Sequence, residues 1–165
     1  MNNININLIN KIFEENLSKN DDIVKEILKY NSYKVDILPK EERAFPGDKD
    51  FLDTGYYKTM LKRYLFSGSY FCKNSNVLDT CCGLGWGSYI ISQYARQITA
   101  FDIAPEVIDF CQKNWKAENI KWLCGNTLDL SFLKEQTFDI ILGMETIEHF
   151  TKPDGEKYIS QATSV

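Results

Sequence analysis

Residues 77–88 read VLDTCCGLGWGS, and this stretch decides the fold. A short apolar run ends in an acid, Asp79, and a glycine-rich turn follows it. Residues 89–92, YIIS, then begin a helical pattern. Gly83 and Gly85 allow positive φ angles and a close approach of backbone N–H groups to a ligand. The stretch therefore predicts a strand, a tight loop and a helix that together cradle a nucleotide.

A second acid-ended run lies where a nucleotide-binding fold needs one. Residues 98–102 read ITAFD, a β-rich pattern, and Asp102 follows the loop at about the twenty-residue spacing of ribose-binding acids. Each hydrogen bond from a ribose hydroxyl to a carboxylate contributes on the order of 1.5–3 kcal/mol. We therefore expect the loop and Asp102 to form one pocket.

Two details of the loop argue against a dinucleotide. The dinucleotide fingerprint is G-x-G-x-x-G, and its third glycine lets helix and strand pack closely. Here Ser88 takes that third position. Asp79 also places a carboxylate beside the loop, where it would repel a pyrophosphate. The pattern favours a cationic ligand and leaves an NAD-dependent oxidoreductase as the less favoured alternative.

Residues 77–88, together with ITAFDIAPEVI at 98–108, resemble the first two motifs of the class I S-adenosylmethionine-dependent methyltransferases. The usual first motif is V-L-D-x-G-C-G-x-G. Cys81 stands where that family has glycine or alanine, and we expect its small side chain to fit. The resemblance implies an α/β fold with a Rossmann-like parallel sheet, S-adenosylmethionine as cofactor and S-adenosylhomocysteine as product.

The resemblance also implies a set of cofactor contacts. The expected cofactor-binding residues, which lie in or beside the motifs, are Asp79, Cys81, Gly83, Gly85, Asp102, Ile103, Asn126, Thr127, Met144, Arg63 and Tyr64. Ile103 is expected to contact one face of adenine. Asn126 replaces the acid that the family usually carries, but its amide oxygen can accept from the adenine amino group. An ordinary turn asparagine is the alternative.

The region ahead of the loop is similar to a bacterial subgroup of these enzymes often found with glycan and cell-envelope biosynthesis. It spans residues 42–66, ERAFPGDKDFLDTGYYKTMLKRYLF. In that subgroup the equivalent helix lies over the cofactor, so Arg63 or Tyr64 is expected to meet the methionine carboxylate. A solvated Arg63 beside a core Tyr64 is the alternative. The resemblance implies a small-molecule acceptor, with a sugar or cell-envelope precursor methylated on O or N as one candidate.

Two units are predicted along the chain. Residues 1–50 form an N-terminal helical cover and linker, and residues 51–165 form the cofactor-binding domain. Within the cover, Asp21 or Asp22 is expected to cap a helix. One apolar face of that helix is expected to be buried, and its residues are Ile23, Val24, Ile27 and Leu28.

The remaining elements follow from composition and spacing. Residues 39–50 are charged and contain Pro-Gly, so they predict a loop. Apolar residues at three- and four-residue steps predict a helix over 53–66, closed by Gly68. Apolar runs predict a third strand over 120–124 and a fourth, buried strand over 138–143. Helices are expected from Pro105, well placed at a first helical position, and from Pro153.

Residues 138–150, FDIILGMETIEHF, resemble the family's fourth motif, FDxxxxxExxEH. His149 is the only histidine in the chain and is the candidate general base, with Glu145 as a second catalytic candidate. A structural histidine is the alternative. Glu145, Glu148 and His149 have the spacing of one face of a helical turn. Some quinone-biosynthesis methyltransferases use a similar segment for a divalent metal, but without a further ligand we predict no metal site.

Composition limits the partners and the compartment. A net charge of −4 and a pI near 5.1 argue against binding to nucleic acid or to a membrane surface, because both use basic fields. No apolar run reaches the roughly eighteen residues of a membrane span, and no signal peptide is evident. The five cysteines are odd in number and lack paired C-x-x-C spacing. We therefore expect a cytoplasmic protein with reduced thiols.

The resemblance accounts for only part of the family's sheet. A complete class I fold has seven strands, and this chain supplies four of them. We expect the cofactor half to be intact and the substrate wall to be incomplete. A bare sheet edge would favour a homodimer. The alternative function is a cofactor-binding or interaction module without catalysis.

Overall fold

The computed structural model describes residues 6–35, 43–133 and 136–165. Its four parallel strands form one sheet in the order β3-β2-β1-β4. The strands are β1 Asn76–Thr80, β2 Gln97–Asp102, β3 Ile120–Cys124 and β4 Ile140–Leu142. The helices within the described residues are α1 Ile6–Lys19, α2 Asp21–Ile27, α3 Lys49–Thr54, α4 Tyr57–Tyr70, α5 Trp86–Ile91, α6 Pro105–Asn114 and α7 Lys152–Ala162. The predicted α/β, Rossmann-like fold with N-terminal helices is confirmed.

The two central strands form the core of the sheet. β1 and β2 are buried along almost their whole length, as apolar runs are when helices cover both faces of a parallel sheet. Asp79 lies between Ala100 of β2 and Leu142 of β4. Because all strands are parallel, their carboxyl ends meet at one edge, where open α/β sheets bind ligands.

The outer strands differ from the prediction in one respect. β3 has the predicted bounds, but β4 contains only Ile140–Leu142 and is only partly buried. A buried strand over 138–143 is therefore wrong in length and burial. β4 pairs with β1 alone in the described part of the sheet, and that position explains its partial exposure.

The N-terminal helices share one apolar core with the helices that flank the sheet. Phe13 and Ile27 are buried in the same cluster as Leu61, Trp86 and Ile90. The apolar face predicted for α2 is confirmed, since Val24 and Ile27 are buried and Ile23 and Leu28 pack against the cluster. The division of the chain after residue 50 stays a prediction.

The expected cap of α2 is wrong. Asn20 occupies the N-cap position, and its side chain makes no capping hydrogen bond. That side chain instead donates to the Tyr94 hydroxyl at 2.8 Å, which ties the cover to the end of α5. Asp21 and Asp22 lie in the first turn, where their charge suits the helix dipole.

The helix predicted over 53–66 is two helices. α3 ends at Thr54, where Gly55 has a φ of +71°, and α4 then runs through Gly68 to Tyr70. Gly68 therefore does not close a helix. A Cβ at Gly68 would lie 2.4 Å from the Tyr94 ring, so close packing explains the glycine. Residues 39–42 of the predicted loop lie outside the described residues.

Both proline-started helices are confirmed. Pro105 lies at the start of α6, and Pro153 lies in the first turn of α7, which begins at Lys152. The side chain of Thr151 accepts a hydrogen bond from the Asp154 N–H and caps α7. α7 contacts the sheet through Tyr158, whose hydroxyl lies 2.8 Å from that of Thr80. Within the described ranges, no helix has the length and apolar character needed to cross a bilayer.

Candidate functional site

Two adjoining cavities lie at the carboxyl edge of the sheet. The cover cavity, about 320 Å³, lies between the helices α3 and α4 and the glycine loop. The acid cavity, about 240 Å³, lies beside Asp102 and the end of β4. The residues that line both cavities are Arg43, Cys81, Gly83, Glu145 and His149. The cover cavity alone reaches the lower end of the roughly 300–1,000 Å³ range of small-molecule sites.

The first half of the glycine loop faces these cavities. The Cys82 N–H donates to the Phe101 carbonyl at 2.9 Å, which ties the loop to the end of β2. Gly83 has a φ of +52°, and a Cβ there would meet nothing within 4 Å. Cys81 has a φ of +55°. The family's glycine at that position therefore suits the left-handed backbone conformation. For a cysteine, that conformation is unfavourable by roughly 1–2 kcal/mol.

Gly85 faces the core rather than the ligand side. Its φ is +73°, and its N–H donates to the Cys82 carbonyl at 3.0 Å. A Cβ at this position would lie 2.6 Å from the sulfur of Cys111 and 2.8 Å from the Trp122 ring. Trp115 supports the same loop by donating to the Leu84 carbonyl at 2.6 Å. Gly85 thus shapes the loop from behind.

Asp102 lies at the end of β2 with its carboxylate almost buried. Its Oδ2 accepts from the Gly83 N–H at 3.1 Å, and its Oδ1 accepts from the Ala104 N–H at 3.1 Å. Ile103, beside it, is 64% exposed and lines the acid cavity. The structure therefore brings together the acid, the loop and the apolar side chain expected at one pocket.

Asp79 lies behind the glycine loop and does not line either cavity. It is 1% exposed and accepts a hydrogen bond from the Ser88 hydroxyl at 2.5 Å. Burial raises the pKa of Asp79 to about 7, and the Ser88 hydrogen bond opposes that rise. Ser88, which stands in place of the third glycine of the dinucleotide fingerprint, thus joins the first turn of α5 to the end of β1.

The turn after β3 places Thr127 beside Cys81 but outside the lining of both cavities. Thr127 is buried and its hydroxyl makes no hydrogen bond within the described residues, yet its proximity, like that of the Thr146 hydroxyl, favours the thiolate of Cys81. Burial outweighs both effects and raises the pKa of Cys81 to about 11. Asn126 is exposed, lines neither cavity, and accepts from the Leu128 N–H at 2.9 Å through its amide oxygen. That contact is typical of an ordinary turn asparagine, which was the alternative to a contact with adenine.

Arg63 and Tyr64 lie on the cover side, and both line the cover cavity. Arg63 forms an ion pair with Glu145 at 2.8 Å. Tyr64 packs edge-on against Trp86, with ring centroids 4.8 Å apart. Burial, with the nearby Asp79, raises the pKa of Tyr64 well above its usual value. Met144, at the end of β4, lines the same cavity.

The segment after β4 presents Glu145 and His149 to both cavities. Glu145 has a φ of +53°, and a short 3₁₀ turn over Ile147–His149 follows it. The expectation that Glu145 and Glu148 share one face of a helical turn is therefore wrong, because Glu145 precedes the turn in a left-handed conformation. Within the described ranges, no group of three or more acidic, histidine or cysteine residues could hold a metal ion.

Sequence reasoning missed several residues that form the wall of the cover cavity. Arg43 pairs with Asp102 at 3.3 Å, and the Trp86 indole donates to the Ala44 carbonyl at 3.2 Å. The missed residues that line the cover cavity are Arg43, Ala44, Phe51, Tyr56, Met60 and Trp86. The sequence offered one signal for this wall. Arg43 lies directly ahead of AFPG, in a stretch that is otherwise similar to the family.

A family model described as a methyltransferase domain matches residues 77–165, just over half of the chain. A comparison with curated protein sequences gives no match. Among solved structures, the chain is similar to the N-methyltransferase NodS from Bradyrhizobium japonicum WM9 in complex with S-adenosyl-l-homocysteine. The identity is 18%, the match covers 70% of this chain and 59% of NodS, and the TM-score is 0.61.

Two further structures share the fold. Magnesium protoporphyrin IX methyltransferase (ChlM) from Synechocystis PCC 6803, with bound SAM, is 15% identical over 70% of this chain and 56% of its own, with a TM-score of 0.57. PH0226 from Pyrococcus horikoshii OT3 is 22% identical over 71% and 53%, with a TM-score of 0.56. The chain spans less than two thirds of each. The chain belongs to the methyltransferase domain family and has the fold of class I S-adenosylmethionine-dependent methyltransferases.

Proposed function

We propose that this chain binds S-adenosylmethionine, the cofactor of its family, at the carboxyl edge of the sheet and transfers the methyl group to a small molecule. The observation that carries the proposal is the Asp102 carboxylate, held by two backbone N–H groups beside an open glycine loop. A carboxylate fixed in this way is suited to a pair of ribose hydroxyls.

The residues present fit the cofactor. Ile103 offers an exposed apolar surface next to Asp102, as an adenine ring requires. Gly83 leaves space at the loop, because a Cβ there would meet nothing within 4 Å, and Cys81 lines both cavities. Asn126 keeps a second acceptor position on its amide oxygen, so the turn contact does not prevent a hydrogen bond from adenine.

The methionine end of the cofactor is assigned to the cover cavity. Arg63, Tyr64 and Met144 line its wall, and the Arg63 guanidinium is the candidate partner for a carboxylate. Asp79 and Gly85 contribute from behind the loop, Asp79 through Ser88 and Gly85 through its packing.

Methyl transfer requires the protein mainly to hold the methyl carbon of the sulfonium and the nucleophilic atom of the acceptor in line. The cofactor supplies a methyl group on a sulfonium centre, and S-adenosylhomocysteine is the product. His149 lies on the wall shared by both cavities and is the candidate base that takes a proton from the acceptor. Such a base contributes roughly 10²–10⁴-fold. Glu145 is the second candidate.

A small-molecule acceptor suits the enclosure of the site. Phe51, Tyr56 and Met60 of the cover form one wall of the cavity, and the net charge of −4 offers no basic field to a nucleic acid. NodS is described as an N-methyltransferase and ChlM as a magnesium protoporphyrin IX methyltransferase. A sugar or cell-envelope precursor is the acceptor to test first.

A cytoplasmic location and a homodimer are proposed on separate grounds. All five cysteines are free, as expected of reduced thiols in a cytoplasmic protein. Pairing of two copies along the free edge of β4 stays a prediction, and size-exclusion chromatography with light scattering would test it.

Isothermal titration of S-adenosylhomocysteine into the wild-type chain and Asp102→Ala tests the proposal. We expect wild-type binding, and a loss of about 100-fold in the variant, because two hydrogen bonds to a carboxylate are removed. Asp109→Ala is the matched control, since Asp109 is exposed on α6 and lines neither cavity. Absence of binding by a chain shown to be folded by circular dichroism would contradict the proposal.

Labelled methyl transfer to candidate acceptors then separates catalysis from binding alone. Transfer to a sugar or envelope precursor that is lost in His149→Asn would support the enzyme. Cofactor binding without transfer to any acceptor class would favour the module without catalysis.

A further inference from the structure

Arg43 lies where the cover meets the acid cavity, and none of the motifs assigns it a role. Its Nη2 lies 3.3 Å from Oδ1 of Asp102, and the two side chains are only 11% and 8% exposed. We propose that Arg43 occupies one ribose-binding position of Asp102, on Oδ1, in the ligand-free protein and must release it when the cofactor binds. The inference rests on the proposed function, in which Asp102 holds the ribose.

The acceptor positions of the carboxylate carry the argument. A carboxylate offers about four lone-pair positions on its two oxygens. Three donors already point at Asp102: the Gly83 N–H, the Ala104 N–H and the Arg43 guanidinium. A bidentate grip on two ribose hydroxyls needs two positions, and one is left. One of the present contacts must therefore give way.

The two backbone donors are fixed by the fold. Gly83 follows Cys82, whose N–H is bonded to the Phe101 carbonyl at the end of β2. Ala104 is the N-cap residue of α6 and lies two residues after Asp102, the last residue of β2. Moving either N–H group would distort the loop or the helix. Arg43 reaches Asp102 through a long side chain with several rotatable bonds, so it is the contact that can be released.

The backbone next to Arg43 is anchored independently of the ion pair. The Ala44 carbonyl accepts from the Trp86 indole at 3.2 Å. The Phe45 N–H donates to Asp48 at 3.0 Å, and the Phe45 ring is fully buried. The Arg43 side chain can therefore leave Asp102 without lifting the cover. Both cavities are lined by Arg43, so a released guanidinium has space beside the ligand.

The exchange predicts the direction of an affinity change. A contact that exists only in the ligand-free state lowers the affinity by the free energy that must be given up on binding. Removing Arg43 should therefore tighten cofactor binding, whereas removing an ordinary cofactor contact would weaken it. Because both side chains are nearly buried, the ion pair is worth at least the roughly 1 kcal/mol of a strong surface pair, which corresponds to about a fivefold gain.

The experiment compares S-adenosylhomocysteine binding by calorimetry in wild type, Arg43→Ala, Arg43→Lys and Asp102→Ala. We expect about fivefold tighter binding in Arg43→Ala, a smaller gain in Arg43→Lys, which keeps the charge, and loss of binding in Asp102→Ala. Arg96→Ala is the matched control, because Arg96 pairs with Asp139 at 3.4 Å on the exposed surface. Its affinity should equal that of wild type.

Urea unfolding of the ligand-free variants supplies a second readout. Arg43→Ala should lower the free energy of unfolding of the ligand-free chain, because the variant lacks the nearly buried ion pair to Asp102, whereas Arg96→Ala, whose contacts are exposed, should lower it less. Weaker or unchanged binding in a folded Arg43→Ala would overturn the inference and leave the proposed function standing. No binding by wild type would overturn the proposed function and this inference with it.

Discussion

The two sides of the cavity are built in different ways. The glycine-loop side, residues 77–88 with Asp102, is buried, and backbone hydrogen bonds and aromatic rings fix it from behind. The strand-4 side, residues 144–150, exposes Glu145 and His149 and follows a strand of only three residues. Within the described residues, an ion pair from Arg63 to Glu145, with side chains 34% and 61% exposed, joins this segment to α4.

The difference separates two tasks. A cofactor needs a rigid, preorganised pocket, and the loop side offers one through buried and partly buried hydrogen bonds that involve its backbone. Exposed side chains on a short connecting segment can change without disturbing the fold. Such a segment is therefore suited to binding a methyl acceptor. Substitutions on the loop side should therefore change stability, and substitutions on the strand-4 side should change turnover.

The largest expected effect is on the loop side, at Gly85. Gly85→Ala should lower the free energy of unfolding by about 4 kcal/mol, because its Cβ would meet Cys111 and Trp122 in a left-handed backbone. Gly55→Ala is the matched control, with a φ of +71° and nothing within 4 Å, and it should cost about 1 kcal/mol. Urea denaturation measures both. Equal losses would mean that the loop is not packed as tightly as described.

Asp79 should give the loop side a characteristic pH dependence. Its folded pKa of about 7 lies above the value of 3.8 expected in the unfolded chain. The folded state therefore binds the proton more tightly, and this stabilisation is present below pH 4 and lost as pH rises through 7. Relative to Asp79→Asn, wild type should lose about 3 kcal/mol across that window.

Urea denaturation of wild type and Asp79→Asn between pH 4 and 8 measures this difference. The asparagine variant is the reference because it lacks the titrating carboxyl, and Tyr64, whose pKa Asp79 raises, titrates above this pH range. Ser88→Ala should move the loss to higher pH, since the Ser88 hydrogen bond lowers the pKa of Asp79. Parallel stability curves for wild type and Asp79→Asn would contradict the buried, protonated carboxyl.

On the strand-4 side, His149→Asn should lower kcat by about 100-fold, or ~2.7 kcal/mol, while the affinity for S-adenosylhomocysteine stays the same. The reason is that His149 lies on the cavity wall but is not among the groups that hold Asp102 or the loop. Labelled methyl transfer to an identified acceptor and calorimetry measure the two quantities. Glu148→Gln, a neighbouring exposed residue outside both cavities, should leave both unchanged.

The smallest effect concerns the backbone of Glu145. Both Glu145→Ala and Glu145→Gly remove the ion pair to Arg63, but only glycine relieves the positive φ of +53°. Glu145→Gly should therefore be more stable than Glu145→Ala by about 1 kcal/mol in urea denaturation. The opposite order would mean that the left-handed conformation is not retained in solution.

The sequence by itself determined the central strands of the sheet and the glycine loop at which we propose that the cofactor binds. Apolar runs ending in Asp79 and Asp102, with glycines between them, are local patterns, and local patterns specify strands, turns and the residues at strand ends. The bounds of β3 and the start of α6 followed for the same reason. The left-handed Cys81 could be anticipated only from the family's glycine at that position.

Only the tertiary structure decided how the residues from distant segments meet. Arg43 contacts Asp102 across 59 positions of sequence, and Arg63 reaches Glu145 across a still longer separation. Gly68 and Gly85 look like helix and loop signals in the sequence, but rings of Tyr94 and Trp122 determine why each is glycine. Such contacts depend on which helices pack over which strand ends, and sequence spacing along one segment carries no record of that packing.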